Sequence, residues 1–455
     1  MGFKEILKTT YKKLLTSSDE RNQNIKKNVV GALAIKGCSI LIQLLLVPLT
    51  LHYLKADVYG IWLTLSSIVL WLGFFDIGFT QGLKNKLVEA VAVGNLSRGK
   101  KLVSTTYVCL ICIFVPLCII LEFIVPVVHW SKFLNVPETY NPQITQVMHV
   151  LIVCVCIQMV ANTISAVVSA FQRVAIANSF PVIGNFFSII IVYVLTKTTE
   201  PSMLYLALTV SFAPVIVMIV ASLYLYNTKL KSIRPSVKYF DKSLIKDIFN
   251  LGVKFFIINI QVIVMYQSTN ILISNISSPT DVTAYNIAYK YIGTAMMILA
   301  VIMGPFWPAF TEAYTTNNFQ WMRTTYKKIK ILYCYVLAAI IIMVLISPIV
   351  YKLWVGSTSL VPWAMTITIG IYMILDSWFS ININLINGIG TVKLQSIVTL
   401  IGVFIHIPLS LFLGKYVGAI GVVISMTILT TIYSILFTIQ LDKILNKTAK
   451  GIWLE

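Results

Sequence analysis

Three ionisable side chains lie deep inside long apolar stretches of this sequence, namely Lys36, Lys290 and Asp376. A charged side chain within a membrane-spanning helix costs a few kcal/mol, so each such residue is a functional candidate. A Lys ammonium meets phosphate or carboxylate as a point charge. Lys36 and Lys290 therefore predict contact with an anionic substrate, although a long Lys stem also reaches the membrane surface by snorkelling. Asp376 is the deepest of the carboxylates.

Polar residues accompany these charges in three of the apolar stretches. Asn286 and Tyr289 adjoin Lys290, and Asn259 and Gln267 lie in the preceding stretch. Hydrogen bonds between helices account for some polar groups of this kind. Their number favours a hydrated cavity, and we assign to its lining a set of six residues. These are Lys36, Lys290, Asn286, Tyr289, Asn259 and Gln267.

Two further charged residues fit the membrane interface better than its centre. Asp76 lies about 18 residues into an inward-running stretch, and Arg173 is the single cation of a short turn. The four His are scattered, and the seven Cys lack the four-ligand grouping of a zinc site. The sequence predicts no catalytic residues, no metal and no cofactor.

The amino-acid composition indicates the class of protein to which these residues belong. The 455 residues are 58% hydrophobic and 11% charged, with a mean hydropathy of +0.86. A soluble domain is about 45–50% apolar and about 25% charged. The values also exclude a disordered chain, and seven Cys exclude a disulfide scaffold. The chain is predicted to be an integral membrane protein.

Twelve stretches are long enough to cross a bilayer as helices, which takes roughly 20 apolar residues each. Several of these stretches contain runs without any polar residue. Strands of a membrane β-barrel alternate apolar and polar residues, so the stretches are not barrel strands. The predicted fold is therefore an all-α integral membrane protein with about 12 transmembrane helices. The spans are 28–50, 58–79, 102–126, 144–169, 179–196, 202–226, 251–275, 282–308, 331–350, 362–386, 394–414 and 417–441.

The chain has a net charge of +19, and the distribution of its basic residues among the loops predicts the orientation of these spans. Both termini and the loops after even-numbered spans carry 28 of the 35 Lys and Arg residues, whereas the opposite side carries five. Cytoplasmic loops are enriched in Lys and Arg. Both termini are therefore predicted to be cytoplasmic. Attraction to anionic membrane lipids follows, and nucleic-acid binding is not needed to explain the charge.

Six spans on each side of a basic segment suggest a duplicated half. The predicted organisation is a cytoplasmic amphipathic segment (1–27), an N-lobe (28–226), a basic cytoplasmic linker (227–250), a C-lobe (251–441) and a cytoplasmic tail (442–455). Glu89, Ala90 and Asn95 recur at the same offsets as Glu312, Ala313 and Asn318. An even number of spans per lobe relates the lobes as a parallel internal repeat.

Several short motifs, in order along the chain, resemble one known family. They are Tyr59-Gly60-Ile61-Trp62, Phe75-Asp76-Ile77-Gly78-Phe79, Gly82-Leu83-Lys84-Asn85-Lys86-Leu87, Pro305-Phe306-Trp307-Pro308-Ala309-Phe310, Asn387-Gly388-Ile389-Gly390 and Ile407-Pro408-Leu409. They are similar to segments of the Wzx-type flippases for O-antigen and capsule repeat units. Those proteins belong to the multidrug/oligosaccharidyl-lipid/polysaccharide (MOP) exporter superfamily, which includes the MATE transporters.

The resemblance implies a flippase that moves undecaprenyl-diphosphate-linked oligosaccharide across a bacterial inner membrane by alternating access, for O-antigen, capsule or exopolysaccharide synthesis. It implies coupling to a gradient of H⁺ or Na⁺, and Asp376 is the candidate coupling carboxylate. Expected partners are the lipid-linked glycan, membrane lipids, and the polysaccharide polymerase and chain-length machinery. Relatives often have Arg where Lys36 and Lys290 stand.

Three other functions stay open at this stage. A cation-coupled multidrug or metabolite antiporter of the same superfamily would want several mid-depth carboxylates, and only Asp376 qualifies. A lipid II flippase commonly has more than twelve spans. A membrane glycan polymerase or ligase needs a substantial outer loop, and the longest here, about 127–143, is short.

Overall fold

The fold is helical throughout the part of the chain that the computed structural model describes. The described residues are 20–72, 79–171, 173–249, 268–304, 306–357, 360–391 and 393–454. They contain α-helices and short 3-10 turns, and no strand. The predicted all-α fold is confirmed.

The chain divides into two compact units, Met1–Ile263 and Val264–Glu455. The first unit contains eight α-helices with bounds that the structure describes, apart from one short turn of helix at Trp130–Leu134. They are α1 (Glu20–Tyr53), α2 (Ala56–Leu72), α3 (Phe79–Ala92), α4 (Leu96–Ile124), α5 (Asn141–Ala161), α6 (Thr163–Ala170), α7 (Val174–Thr198) and α8 (Met203–Asn227). Helix α7 packs against α1 and α8, and α5 packs against α4 and α8.

The second unit opens, within the described residues, with helical residues 268–276. Its further helices are α9 (Pro279–Met303), α10 (Phe306–Thr315), α11 (Phe319–Val355), α12 (Trp363–Ile389), α13 (Lys393–Val417) and α14 (Ala419–Leu445). Helix α12 contacts α9, α10, α11 and α14, so it is central to this unit.

Ten segments of the described chain are long and apolar enough to cross a membrane. They coincide with ten of the twelve predicted spans. The other two predictions, 58–79 and 251–275, include residues outside the described part of the chain. A multi-pass membrane protein of about twelve spans is the architecture that results.

The same turn joins a short helix to a long one in both units. In the first unit, Asn95 caps α4, and its side-chain Oδ1 accepts from the backbone N–H of Arg98 at 2.9 Å. In the second unit, Asn318 caps α11 in the same way, accepting from Trp321 at 3.2 Å. The residue before each Asn has a positive φ, 72° at Gly94 and 56° at Asn317.

The backbone hydrogen bonds of the two turns also correspond. The N–H of Asn95 donates to the carbonyl of Ala90 at 2.9 Å, and that of Asn318 donates to Ala313 at 2.8 Å. An Asn cap satisfies backbone donors that a helix start leaves free. The caps start the helices at Leu96 and Phe319, well before the predicted spans at 102 and 331. The match of bonds supports the internal repeat.

The basic residues 227–249 pack within the first unit against α4. The Oγ of Ser104 and the Oγ1 of Thr105 accept from the backbone N–H groups of Ser236 and Asp241, at 3.1 and 3.0 Å. The Asp241 carboxylate also pairs with Lys101 at 3.0 Å. Hydrogen bonds from the Ser243 side chain, and then from Lys101, lower the pKa of Asp241. The segment is thus held to α4 at several points.

Both predicted end segments continue helices where they are described. Residues 20–27 are the beginning of α1, and residues 1–19 lie outside the described chain. At the other end, α14 extends to Leu445, and the tail folds back so that Gln440 Nε2 donates to the Trp453 carbonyl at 3.2 Å. The Lys443 ammonium lies 4.1 Å from the centre of the Trp453 ring, within the range of a cation–π contact.

Candidate functional site

Helices α9 and α12 position the predicted site residues of the second unit. The Ser278 side chain caps α9 by accepting from the Asp281 N–H at 3.2 Å, and Pro279 occupies the first turn. At 1.5 Å per residue, Lys290 lies about 16 Å from this start, and Asp376 lies about 20 Å from the start of α12. Both residues are therefore near the middle of helices that can span a core of about 30 Å.

Three Tyr rings form a continuous aromatic stack between α9 and α12. The ring centres of Tyr285 and Tyr289 are 5.4 Å apart, one helical turn from each other on α9. Tyr289 stacks in turn on Tyr372 of α12, with ring centres 6.4 Å apart. These separations lie within the range for favourable aromatic pairs. The stack joins the two helices at the depth of the predicted site.

Asp376 is buried next to this aromatic stack. Its exposed fraction is 8%, and its carboxylate is within electrostatic reach of the Tyr285 hydroxyl, which also shares a hydrogen bond with Thr269. Buried carboxylates need polar neighbours because desolvation penalises the charge. The structure thus brings Asp376 together with the part of α9 that carries Tyr289.

Asn286 and Lys290 lie four residues apart on α9 and so share one face of the helix. The Asn286 Nδ2 donates to Asn270 Oδ1 at 2.8 Å and to the Val282 carbonyl at 2.8 Å. The first bond ties α9 to helical residues 268–276. Asn286, Tyr289 and Lys290 are partly exposed, unlike Asp376 and Tyr372. We call the set Tyr285, Asn286, Tyr289, Lys290, Tyr372 and Asp376 the α9–α12 cluster.

The other predicted site residues are not in this cluster. Lys36 belongs to the first unit, where it is exposed on α1, and Arg173 is exposed in the residue before α7. Asn259, Gln267 and Asp76 lie outside the described residues. Asn286, Tyr289, Lys290 and Asp376 are therefore the predicted residues that the structure places on adjoining helices.

The polar residues that follow Asp376 on α12 divide into two groups. Asn382 is fully buried and accepts from the Tyr326 hydroxyl at 2.7 Å, while Ser377 donates to the Ile374 carbonyl at 2.7 Å. The Tyr326–Asn382 bond joins α11 to α12, as such groups commonly do in membranes, whereas the Ser377 bond lies within α12. The Oδ1 atoms of Asn384 and Asn387 are buried and have no hydrogen-bond partner among the described residues.

Close packing of α10 on α12 requires a glycine. A Cβ atom added to Gly388 would lie 2.6 Å from the Trp307 carbonyl oxygen. The same approach lets the Thr311 hydroxyl donate to the Gly388 carbonyl at 2.6 Å. Two of the sequence motifs, one at 305–310 and one at 387–390, therefore meet in the structure. Gly388 permits this contact because it has no Cβ atom.

Two polar pairs of the membrane-spanning helices escaped the sequence reasoning. The His149 side chain of α5 is hydrogen-bonded to the Glu122 carboxylate of α4 in the first unit. In the second unit, His406 is fully buried, and its Nδ1 lies 3.1 Å from the Ser425 hydroxyl. Each His stands alone in the sequence, and its only signal was a polar residue inside an apolar span. The described residues contain no group of three His, Cys, Asp or Glu side chains suited to a metal.

Solved transporter structures share this fold at low sequence identity. An inward-facing multidrug resistance MATE transporter of the MOP superfamily superposes with a TM-score of 0.73 and 14% identity, covering 93% of this chain and 100% of that chain. An outward-facing multidrug resistance MATE transporter gives a TM-score of 0.62 and 15% identity, covering 94% and 97%.

A third similar structure is a MOP superfamily transporter from Pyrococcus furiosus Vc1, for which reverse polarity of the binding pocket suggests a different function. Its TM-score is 0.62 with 15% identity, and the match covers 94% of this chain and 97% of that one. At such identities the likeness establishes the fold.

The family match comes from the sequence itself. The model of a family described as polysaccharide biosynthesis protein matches residues 25–314, which is more than half of the chain. No curated protein sequence matches the chain. The resemblance inferred from the motifs is confirmed at this level. The chain belongs to the polysaccharide biosynthesis protein family and has the transporter fold of the MOP superfamily.

Proposed function

We propose that the chain is a flippase that moves undecaprenyl-diphosphate-linked oligosaccharide across a bacterial inner membrane for surface polysaccharide synthesis. The α9–α12 cluster is the observation that carries the proposal. It combines an ammonium, a carboxylate, an Asn amide and Tyr hydroxyls halfway along membrane-spanning helices. Membership of a polysaccharide biosynthesis family and the fold of a transporter agree with this function.

The chemistry of the cluster suits such a substrate. Tyr hydroxyls and Asn amides both donate and accept hydrogen bonds, as a sugar with many hydroxyl groups requires. Lys290 supplies a positive charge that a diphosphate can meet, and in our proposal Lys36 of the first unit supplies a second. Asn286, Tyr289 and Lys290 are the partly exposed members and would touch the glycan or its diphosphate first.

Asp376 has a different proposed role, the coupling of flipping to an ion gradient. A buried carboxylate can be neutralised by binding H⁺ or Na⁺, because burial disfavours the charged form of such a group. Carboxylates inside membranes commonly serve in proton relays of pumps and transporters. Asp376 lies beside the Tyr stack, so a change in its charge would act on residues that hold α9 against α12.

The proposed orientation places both termini in the cytoplasm, following the distribution of Lys and Arg. Glycan assembled in the cytoplasm would then enter from the side that carries the basic segment 227–249. A polysaccharide polymerase and the chain-length machinery would receive the product on the outer side.

Depletion of the protein in the cell that makes it tests the proposal. We expect lipid-linked glycan to accumulate on the cytoplasmic leaflet and surface polysaccharide to fall. Wild-type protein should restore export, and Asp376→Asn protein at equal abundance should not. Unchanged surface polysaccharide in a strain with no other flippase would contradict the proposal.

A cation-coupled multidrug or metabolite antiporter is the second candidate. The buried carboxylate of Asp376 and the likeness to MATE folds favour it. The same depletion separates the two functions, because loss of an efflux antiporter raises sensitivity to cationic drugs and leaves the lipid-linked glycan at its normal level.

A further inference from the structure

A cavity in the first unit lies apart from the α9–α12 cluster. It has a volume of about 460 Å³ and is bounded by α4, α5, α8 and residues 234–235. Pockets of about 300–1,000 Å³ are typical of small-molecule sites. The cavity is therefore large enough for part of a lipid or for a small amphiphile.

The walls of the cavity are apolar. Ile157 and Val160 line it from α5, and Ile219 and Leu223 line it from α8. Ile157 and Leu223 are exposed, by 38% and 62%, so the cavity opens to the surface of the helices. An opening of this kind, between two membrane-spanning helices, admits a hydrocarbon chain from the side.

One end of the cavity is polar and positively charged. The Tyr226 hydroxyl donates to the Tyr107 hydroxyl at 3.3 Å, and both residues line the cavity. Arg234 also lines it, and Asn227 holds its guanidinium through a hydrogen bond of 3.0 Å. No lining residue is acidic. A guanidinium has five N–H donors in a planar fork, which suits it to bind phosphate oxygens.

The order of these features matches an anionic amphiphile. Arg234 and the Tyr pair stand at the end of α8 where the basic segment begins, and the apolar residues continue along α8 toward the middle of the span. Lys229 and Lys231 precede Arg234 in the chain and add positive charge to the same basic segment. Clusters of this kind next to membrane helices bind acidic headgroups.

We propose that this cavity is a binding site for one acidic phospholipid, with its phosphate on Arg234 and the start of one acyl chain between α5 and α8. A bound lipid would bridge α8 and the basic segment, which α4 already holds. The proposal does not depend on the transported substrate, since none of its residues belongs to the α9–α12 cluster.

Native mass spectrometry of the purified full-length protein in detergent tests the site. The probes are dioleoylphosphatidylglycerol, dioleoylphosphatidylcholine and glycerol phosphate. We expect wild-type protein to retain one phosphatidylglycerol more tightly than phosphatidylcholine. Arg234→Gln should weaken that binding about tenfold, in keeping with the loss of a charge-assisted hydrogen bond.

Two further variants make the result specific. Lys238→Gln removes a charge from the same exposed segment but not from the cavity, so binding should stay within about twofold, as for most exposed charges. Ile157→Trp adds bulk at the opening and should weaken phosphatidylglycerol binding without removing a charge. A normal elution volume and thermal midpoint would establish that each variant folds.

Three outcomes would overturn the proposal. Equal binding of phosphatidylglycerol and phosphatidylcholine would mean a general apolar groove. Equal affinity of the wild type and Arg234→Gln for phosphatidylglycerol would show that the guanidinium does not bind the lipid. Displacement of the lipid by millimolar glycerol phosphate would mean that the site binds soluble phosphate compounds.

Discussion

The first and second units contain the same capped turn, at Asn95 and at Asn318, yet they bury different kinds of polar residue. Among the described side chains, the polar residues buried in the first unit are all Ser or Thr, Tyr and Trp aside. The second unit also buries Asp376, Asn382, His406 and Gln440. Among the described residues, the interior of the second unit therefore contains the more polar side chains.

The difference has a physical meaning. Hydroxyl groups of Ser and Thr can bond to the carbonyl four residues earlier in their own helix, as Thr64 does to Gly60 at 3.0 Å and Thr106 does to Leu102 at 3.0 Å. They need no second helix. Asn382 is hydrogen-bonded to Tyr326 of α11 and so joins two helices. Asp376 is an ionisable group inside a membrane-spanning helix, and such groups mark functional pathways in membranes. The comparison favours the second unit as the place where substrate and coupling ion act.

The largest expected effect is that of Asp376→Asn. Because the substitution keeps the shape and removes the charge, we expect export to fall about tenfold or more, the scale of a lost charged hydrogen bond. The measurement is surface polysaccharide per cell at matched protein abundance. Glu122→Gln in the first unit is the matched control and should cost less than about twofold, since Glu122 is only partly buried. A larger loss of export from Glu122→Gln than from Asp376→Asn would contradict the assignment of function to the second unit.

The two Lys residues provide a second test, with a smaller effect. Lys290→Gln should reduce export by about three- to tenfold, because the proposed diphosphate contact would lose its partly buried ammonium. Lys36→Gln should have a weaker effect, because Lys36 is exposed within its unit and exposed charges contribute less. Export is again compared at equal protein abundance. Full activity of Lys290→Gln would assign that side chain to snorkelling.

The shared turn predicts equal rather than different effects. Asn95→Ala and Asn318→Ala should each lower stability by about 1 kcal/mol, the usual cost of a lost N-cap. The thermal midpoint of the purified protein in detergent measures the change. Asn95→Asp and Asn318→Asp keep a capping oxygen and should stay near the wild type. A marked loss at only one of the two positions would show that the turns are not equivalent.

The smallest effect concerns the basic segment of the first unit. The pKa of Asp241 is lowered by Ser243 and Lys101, so its contribution to stability is present above the unfolded value of about 3.9 and is lost as pH falls below it. Asp241→Asn should therefore have a slightly lower midpoint than the wild type at pH 7, and the difference should shrink as the pH falls from the unfolded pKa through the lowered folded-state pKa. A difference that persists unchanged at low pH would contradict this linkage.

The sequence predicted the fold well because apolar length and charge distribution are strong signals in membranes. It was less informative about where helices begin. Asn95 and Asn318 start their helices outside the apolar runs, and a cap is a local polar signal that hydropathy does not register.

The site was predictable in part. Lys290, Asn286 and Asp376 stood out as polar residues in apolar spans, and the structure places them on adjoining helices. The Tyr285–Tyr289–Tyr372 stack and the Glu122–His149 pair were missed, because ring stacking and pairing between helices depend on packing that one sequence does not encode locally. Arg234 is one of several cations of the basic segment in the sequence, and only the structure places it at the wall of a cavity.

Reconstituted transport tests the central claim most directly. The full-length protein is placed in liposomes with undecaprenyl-diphosphate-linked oligosaccharide, and the glycan that becomes accessible in the opposite leaflet is followed under an imposed H⁺ or Na⁺ gradient. We predict gradient-dependent flipping by the wild type, little by Asp376→Asn, and no transport of a cationic dye. Dye transport without movement of the lipid-linked glycan would contradict the account.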